Sequence, residues 1–386
     1  MFSLKEFIIF LVIVLSVYFL GNFYIYKRSI QALSLTGYQL WIFRIIFLFI
    51  ILSYIVGRFI EARDNSSMVG YLFNTIGSFW MGMMLYIILM LALIDLLRLF
   101  NYFFNFFPDL IEKNKILSGR IAFAGVLSIT LVIIIYGFFN ARNIRVIEEN
   151  VFLDKLDKDK NPFTIVQVSD VHLGRTINQK RLFEIADKVN SLNPDIVVFT
   201  GDLVDDNSAD PNCLVEPLKS ITSKYGKFFI TGNHDYFGNL NAVLNKVQEA
   251  GVKVLRNEYV TIDSTIVLLG LDYLYGRKGN KDTRTIDEIL SGVNRNLPIV
   301  LLKHVPDDLN RIEKSGIDFQ LSGHTHHGQL FPFNFITNMV YHVSSGLGKF
   351  NNMQIYVSKG VGYWGPPMRV GVESEITKIT LKSTKK

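Results

Sequence analysis

The sequence predicts a two-part protein: an α/β domain of layered sheets, preceded by an all-α segment that spans a membrane four times. Two observations carry this expectation. Composition changes near residue 145, from a stretch rich in Phe, Ile, Leu and Tyr with no His and no Cys to one with turn residues and mixed charge. Beyond that point short β-branched runs alternate with helical patterns, as an α/β layered fold requires. The expected division is a membrane domain at 1–145 and a catalytic domain at 146–386. The latter, at about 240 residues, is long enough to bury a substantial core.

A membrane helix requires about 20 predominantly apolar residues. Four stretches qualify: Phe7–Tyr26, Tyr38–Ile60, Tyr71–Leu97 and Ile121–Phe139. The first has too long an apolar run for a signal peptide and no small-residue cleavage site, so a retained span is expected. Arg44 and Asp95 fall inside or near the edges of these spans, where a charge is a functional candidate by default. The plainer expectation is snorkelling, or a mutual pair across the Tyr38–Leu97 hairpin. No repeat, polar stripe or broken helix in the sequence argues for transport. Four spans put both termini on one side, flanked by Lys5, Arg58, Arg63, Arg142 and Arg145. Lys27, Arg28, Arg98, Lys113, Lys115 and Arg120 flank the other side, a near balance that leans toward an extracytoplasmic catalytic domain.

The net charge of +6 belongs to the first part: twelve Lys and Arg face six Asp and Glu in residues 1–145, which leaves twenty-eight of each beyond. A neutral second part argues against a nucleic-acid partner, which would call for a basic patch there. Cys213 is the sole cysteine, so no intrachain disulfide can form. In the helix-like stretch CLVEPLKSI it reads as a small core residue.

After the charged connector LDKLDKDKNP, strand-like runs end one after another at polar tips. FTIVQVS leads into Asp170 and His172, and DIVVFTG into Asp202. KFFITG leads into Asn233 and His234, PIVLLK into His304, and FQLSG into His324 and His326. Between them lie helical patterns such as RLFEIADKVNSL, with Leu182, Ile185 and Val189 on one face, and LNAVLNKVQEAG. In α/β sheets the site lies outside the carboxyl ends of the strands, the position all these tips occupy. With His327 beside His326, six of the seven histidines fall at or next to these tips, and only His342 stands apart. Asp, Asn and His together form an oxygen and nitrogen donor set suited to Mn, Fe or Zn rather than a thiolate zinc site. Asp202 is the natural bridge, because a carboxylate can offer one oxygen to each of two ions. Two ions about 3.5–4 Å apart can clamp a phosphate and activate a water.

The ordered series SDVH, GDLVD, GNHD, KHVP and GHTHHG resembles the calcineurin-like metallophosphoesterase superfamily, over roughly Phe163 to Leu381. The tail, IYVSKGVGYWGPPMRVG followed by ESEITKITL, is similar to its bacterial membrane-associated branch, some members of which act on nucleotide-linked or lipid-linked phosphates. The resemblance implies a four-layer α/β/β/α sandwich holding two divalent ions, Mn favoured over Fe or Zn. Asp170, His172 and His326 would hold the first metal; Asn233, His304 and His324 the second; Asp202 would bridge them. His234 would contact the phosphate and protonate the leaving oxygen, with Asp235 orienting it from behind. At position 327 the branch usually carries Gly, whereas this chain has His327, expected to face solvent on backbone that avoids a Gly-only conformation. Trp364 and Arg369 would either line the substrate pocket or close the C-terminal loop.

The function so implied is a membrane-anchored phosphoesterase that hydrolyses a phosphate ester or pyrophosphate by a hydroxide held between the metals. Tethering at a lipid bilayer favours a lipid-linked or cell-envelope substrate over a diffusible phosphorylated small molecule. The alternatives are a metal-dependent binding or sensor module without turnover, and a phosphodiesterase for soluble nucleotides.

Overall fold

A computed structural model describes residues 4–64, 66–160, 162–206 and 209–385; Asn161 of the charged connector lies outside them. The chain divides into two compact units, Met1–Phe138 with Gly365–Met368 and Phe139–Trp364 with Arg369–Lys386.

The first unit is built from four long helices: α1 (Leu4–Leu33), α2 (Gly37–Arg63), α3 (Met68–Phe104) and α4 (Lys115–Arg142). All four are long and apolar enough to cross a membrane. Between α2 and α3 the backbones approach at glycines. A Cβ on Gly57 would lie 2.4 Å from Asn74 N, and one on Gly77 2.3 Å from Tyr54 N. Small residues at such crossings replace the hydrophobic effect, which has little force between helices in lipid. Buried polar groups satisfy one another: Trp80 Nε1 donates to Asn22 Oδ1 at 2.9 Å and Asn74 Nδ2 to Glu61 Oε2 at 2.7 Å. The expected mutual pair of Arg44 and Asp95 does not form. Asp95 takes Arg28 at 2.5 Å and the Tyr24 hydroxyl at 2.6 Å, while Arg44 Nε donates to Tyr26 Oη at 2.9 Å. The reason is length: α1 runs on to Leu33, which carries Arg28 to Asp95 as a nearer cation.

The second unit contains β1 (Ile144–Leu153), β2 (Phe163–Val168), β3 (Ile196–Thr200), β4 (Lys227–Ile230), β5 (Val252–Val254), β6 (Glu258–Ile262), β7 (Ile266–Gly270), β8 (Ile299–Leu302), β9 (Phe319–Ser322), β10 (Gly346–Phe350), β11 (Met353–Val357) and β12 (Ser374–Ser383). They form two six-stranded sheets, ordered β1-β12-β2-β3-β4-β5 and β10-β11-β9-β8-β7-β6. Strands β2 to β5 run parallel, as do β7, β8, β9 and β11. Central strands such as Ile196–Thr200 are buried at every position, because both faces of the sheet are covered.

Between the sheets lies one core, with Ile165, Ile196, Val198 and Phe228 meeting Leu268, Val300, Leu302 and Phe319. Outside the first sheet, α5 (Gln179–Ser191) buries Leu182, Ile185, Ala186 and Val189, and α6 (Leu240–Glu249) buries Val243 and Val247. Asn178 and Asn239 cap these helices by accepting from Arg181 N and Ala242 N. Outside the second sheet lie Ile286, Ile289, Leu309 and Ile312 from two shorter helices. The order of layers is α/β/β/α, as the resemblance implies. Cys213 is half-buried against the outer core of the first sheet, in keeping with a packing role.

Candidate metal centre

Five parallel strands deliver the site. β2 ends just before Asp170 and His172, β3 before Asp202, β4 before Asn233 and His234, β8 before His304, and β9 before His324 and His326. At these ends the chain turns sharply. Asp170, His172, Asp202, His324 and His326 all adopt positive φ, between 45° and 73°. Each such residue costs about 1–3 kcal/mol, a strain that surrounding structure must over-determine and that concentrates at functional sites. Backbone hydrogen bonds hold the turns, among them Asp170 N to Gly201 O at 3.1 Å and His172 N to Asp202 O at 3.0 Å. Two glycines admit the close approach. A Cβ on Gly232 would fall 2.2 Å from Asp202 Oδ1, and one on Gly323 2.2 Å from Asp170 Oδ2.

The side chains gather in two groups, Asp170–His172–His326 and Asp202–His304–His324. Within each group one ligand atom per residue lies within 4.8 Å of the others. In the first, His172 Nε2 is 3.0 Å from His326 Nε2, and His326 Nε2 is 3.4 Å from Asp170 Oδ1. In the second, His304 Nε2 lies 3.2 Å from Asp202 Oδ2 and 3.1 Å from Asn233 Oδ1. Asp202 Oδ2 also reaches to 3.9 Å from His172 Nε2, so one carboxylate faces both groups. The seven residues expected as ligands are thus brought close together at the strand ends.

The donor chemistry fits a pair of divalent cations. His304 Nδ1 donates to Thr200 O at 2.8 Å, and His172 Nδ1 faces Asp205 Oδ1 at 3.2 Å. Each contact fixes the tautomer that turns the Nε2 lone pair into the site, the usual arrangement behind metal-binding imidazoles.

Asp205 was not singled out by the sequence, although it stands at the end of GDLVD. Its backbone carbonyl accepts from His234 Nδ1 at 2.7 Å, and its Oδ1 lies 3.2 Å from the same nitrogen. This corrects the expectation that Asp235 orients His234. The Asp235 carboxylate instead accepts the backbone N–H groups of Gly232, Asp202, Leu203 and Val204 at 2.7–3.2 Å. It ties the turns after β3 and β4 together. The carboxylate reaching His234 comes from Asp205 because the ring turns toward the turn after β3.

Arg369 is fully buried. It donates to the carbonyl oxygens of Gly362, Lys359 and Glu373, and Nη2 reaches His326 Nδ1 at 3.1 Å. Of its two expected roles it fulfils loop closure, with an added contact to His326. Trp364 is 58% exposed, with its ring 6.0 Å from that of His234. His327 is half-buried, and its Nδ1 meets Ser344 Oγ at 3.2 Å rather than either ligand group. Its φ of 45° and ψ of 39° lie in the left-handed region, which is uncommon for a side chain but open to His, so the backbone does avoid a Gly-only conformation.

Electrostatics follow from this crowding. Burial alone would raise the Asp202 carboxyl, but His304, His172 and His234 hold it well below the usual range. Burial opposes protonation of His304, yet Asp202 overcomes it and pushes the imidazole up to about 9. His324 is pushed down to about 3 by burial and by His304, and His326 lies well below its ordinary value through burial, His172 and Arg369. Asp235 rises to about 7 through burial and Asp202. Beside the second group opens a cleft of about 520 Å³, lined by Tyr273, Arg277, Asp307, His324, Val340, Tyr341 and Phe350 among others. A buried paired-cation site that meets solvent through such a cleft can polarise a phosphoryl group and exclude bulk water.

Comparison with known proteins agrees with this chemistry. The calcineurin-like phosphoesterase family profile matches residues 163–328. An uncharacterized metallophosphoesterase of Campylobacter jejuni is 32% identical over 98% of this chain and 100% of its own length. A transmembrane protein with metallophosphoesterase domain from Danio rerio is 34% identical over 66% of this chain and 62% of its own. An uncharacterized metallophosphoesterase of Bacillus subtilis is 36% identical over 58% and 80%. Among solved structures, a dimetal phosphatase from Danio rerio is 12% identical, covering 57% of this chain and 99% of its own, with a TM-score of 0.35.

Proposed function

This chain belongs to the calcineurin-like metallophosphoesterase family and is a metal-dependent phosphoesterase; from that premise we propose that it is anchored in a membrane and hydrolyses a lipid-linked or cell-envelope phosphate ester or pyrophosphate. The observation that carries the chemistry is the pair of ligand groups at the ends of β2, β3, β4, β8 and β9, with Asp202 facing both. Bound there, two divalent ions would supply a water acidic enough to act near neutral pH and a clamp on the phosphoryl oxygens. Asp170, His172 and His326 would hold one ion, Asn233, His304 and His324 the other. The nitrogen and oxygen donors suit Mn, Fe or Zn rather than a metal that needs sulfur ligands, and Mn is the ion we favour and test first. His234, whose Nδ1 donates to Asp205 O, has its other nitrogen free to protonate a leaving oxygen. It is suited to this role, since Asp205 and Asp202 overcome burial and hold the ring charged up to about pH 9.

The substrate class rests on tethering. Four helices able to cross a bilayer would keep the site near lipid headgroups, and the near balance of flanking cations leans toward the extracytoplasmic face. The test is hydrolysis of a chromogenic phosphomonoester and a chromogenic phosphodiester by metal-stripped protein, with Mn²⁺ restored, beside Asp202→Asn. Metal-restored turnover in the wild type alone supports the mechanism, and the preferred ester directs the search among lipid phosphates. Tight metal binding without turnover of any ester would leave a binding or sensor module.

A further inference from the structure

Most amphipathic helices in this protein turn their apolar side inward, but the helix that follows the metal loop is reversed. α7 (Phe333–Val340) carries Phe335, Ile336, Met339 and Val340 at 55–87% exposure, while Asn334 and Thr337 are half-buried. Asn338 accepts from the Ser344 hydroxyl. None of its residues is buried and none is charged. A folded domain in water gains nothing from showing so large an apolar face, and such a face marks a partner surface.

We propose that α7 is a bilayer-seated helix at the mouth of the metal site, through which the site takes a phosphoester directly from an anionic lipid surface. The occupant is fixed by three observations. First, α7 leads into the cleft: Val340 and Tyr341 line it beside His324. A phosphate at the metals therefore leaves its apolar remainder close to the helix. Second, cations slightly outnumber acids in and next to the lining. Asp307 and the exposed Asp308 line the cleft with Arg277, and the exposed Lys278 and Lys349 follow and precede the lining Arg277 and Phe350 in sequence. The facing Asp307 is taken up by Arg277 at 2.6 Å and by Lys303. Cations close to an exposed apolar helix, with the aromatic Tyr341 at its end, are the composition of a lipid-headgroup contact. Third, the same chain carries four helices able to cross a bilayer, so a lipid surface is always at hand.

This inference rests on the lipid-substrate reading above, and two measurements separate them. Full-length protein carrying Cys213→Ser and Met339→Cys is labelled with a nitroxide and reconstituted in phosphatidylethanolamine–phosphatidylglycerol vesicles. Asn241→Cys, on an exposed face of α6, serves as the reference. We expect position 339 to collide readily with oxygen and poorly with a water-soluble nickel chelate, and position 241 to show the opposite. Ready collision with the chelate at 339 would place the helix in water, and protection from both reagents would place it against protein. Either result overturns the proposal.

The second measurement is turnover by Phe335→Ser/Met339→Ser. Hydrolysis of phosphatidic acid in the same vesicles should fall about tenfold or more, since two apolar anchors are removed from lipid, while a soluble chromogenic ester is unaffected. Equal loss on both substrates would make α7 merely structural. A wild type that hydrolyses the soluble ester but no lipid ester defeats the substrate reading, while the depth measurement still decides the helix.

Discussion

The two halves of the candidate metal centre each pair two histidines with an oxygen donor, Asp170 in one and Asn233 in the other, but they are supported differently. In the second group His304 is anchored by a strand carbonyl, Thr200 O, and its Nε2 faces both Asp202 and Asn233. In the first group the supports are side chains: Asp205 behind His172, and Arg369 behind His326, forty-three residues further along the chain. The sheet itself therefore sets the second group, whereas the first depends on two particular residues. The donors also differ. Because Arg369 donates to His326 Nδ1, the neutral ring carries its proton on Nε2, facing Asp170. A cation entering the first group has to displace that proton or loosen Arg369. We expect the second group to fill first and to hold its ion more tightly.

The largest effect should come from the residue that belongs to both halves. Asp202→Asn is expected to lower metal-restored turnover by at least about 10²–10³-fold, the scale of losing one preorganised charge at a reacting centre. Metal content per chain should fall with it. Unchanged turnover would remove Asp202 from the mechanism. Next is Asp205→Ala, which should weaken metal binding at the first group by about 10–100-fold, as loss of a carboxylate behind a ligand histidine does. Titration calorimetry on metal-stripped protein reads the two affinities separately. If both weaken alike, the halves are not independently supported.

Arg369→Met tests the same asymmetry through stability. It leaves the carbonyls of Gly362, Lys359 and Glu373 without their donor, at a cost of about 3 kcal/mol or more. For a domain of this size that is a fall in Tm of about 6–12 °C in the metal-free protein. Freed from the guanidinium, His326 can carry its proton on Nδ1 and offer Nε2 to a cation, so the gap between the two binding constants should narrow. An unchanged Tm, or a wider gap, would contradict this account of Arg369.

The candidate ligands were legible in the sequence because they share one placement. Each follows the end of a short strand by two to four residues, and strand ends in an α/β sheet converge on one edge. What stayed hidden was contact across turns. Asp205 carries no signal of its own, since only the fold decides that its carboxylate, rather than that of Asp235, reaches His234. Arg369 was visible as a candidate but not as a donor to His326, a contact that depends on how the C-terminal loop returns. The Arg28–Asp95 pair was missed because α1 extends past the apolar window used to bound it. The reversed face of α7 is invisible to periodicity, which shows that a helix is amphipathic but not which side meets the core.

The smallest expected effect is a proton count, and its sign follows from the same comparison. His304 is held up to about 9 mainly by Asp202 working against burial, so at pH 7.5 the metal-free ring is charged. Ligation requires it neutral, so filling the second group should release at least about one proton per chain. As pH rises through about 9 the ring loses that proton before metal arrives, and this contribution to the release fades while apparent affinity climbs. For the metal-free fold the sign is opposite: the raised His304 value contributes stability that is complete below about pH 6.5 and lost as pH rises toward 9. Calorimetry in buffers of differing ionisation enthalpy measures the count. Zero release at pH 7.5 would mean that Asp202 does not hold His304 charged, and the contrast between a sheet-anchored and a side-chain-anchored group would lose its electrostatic half.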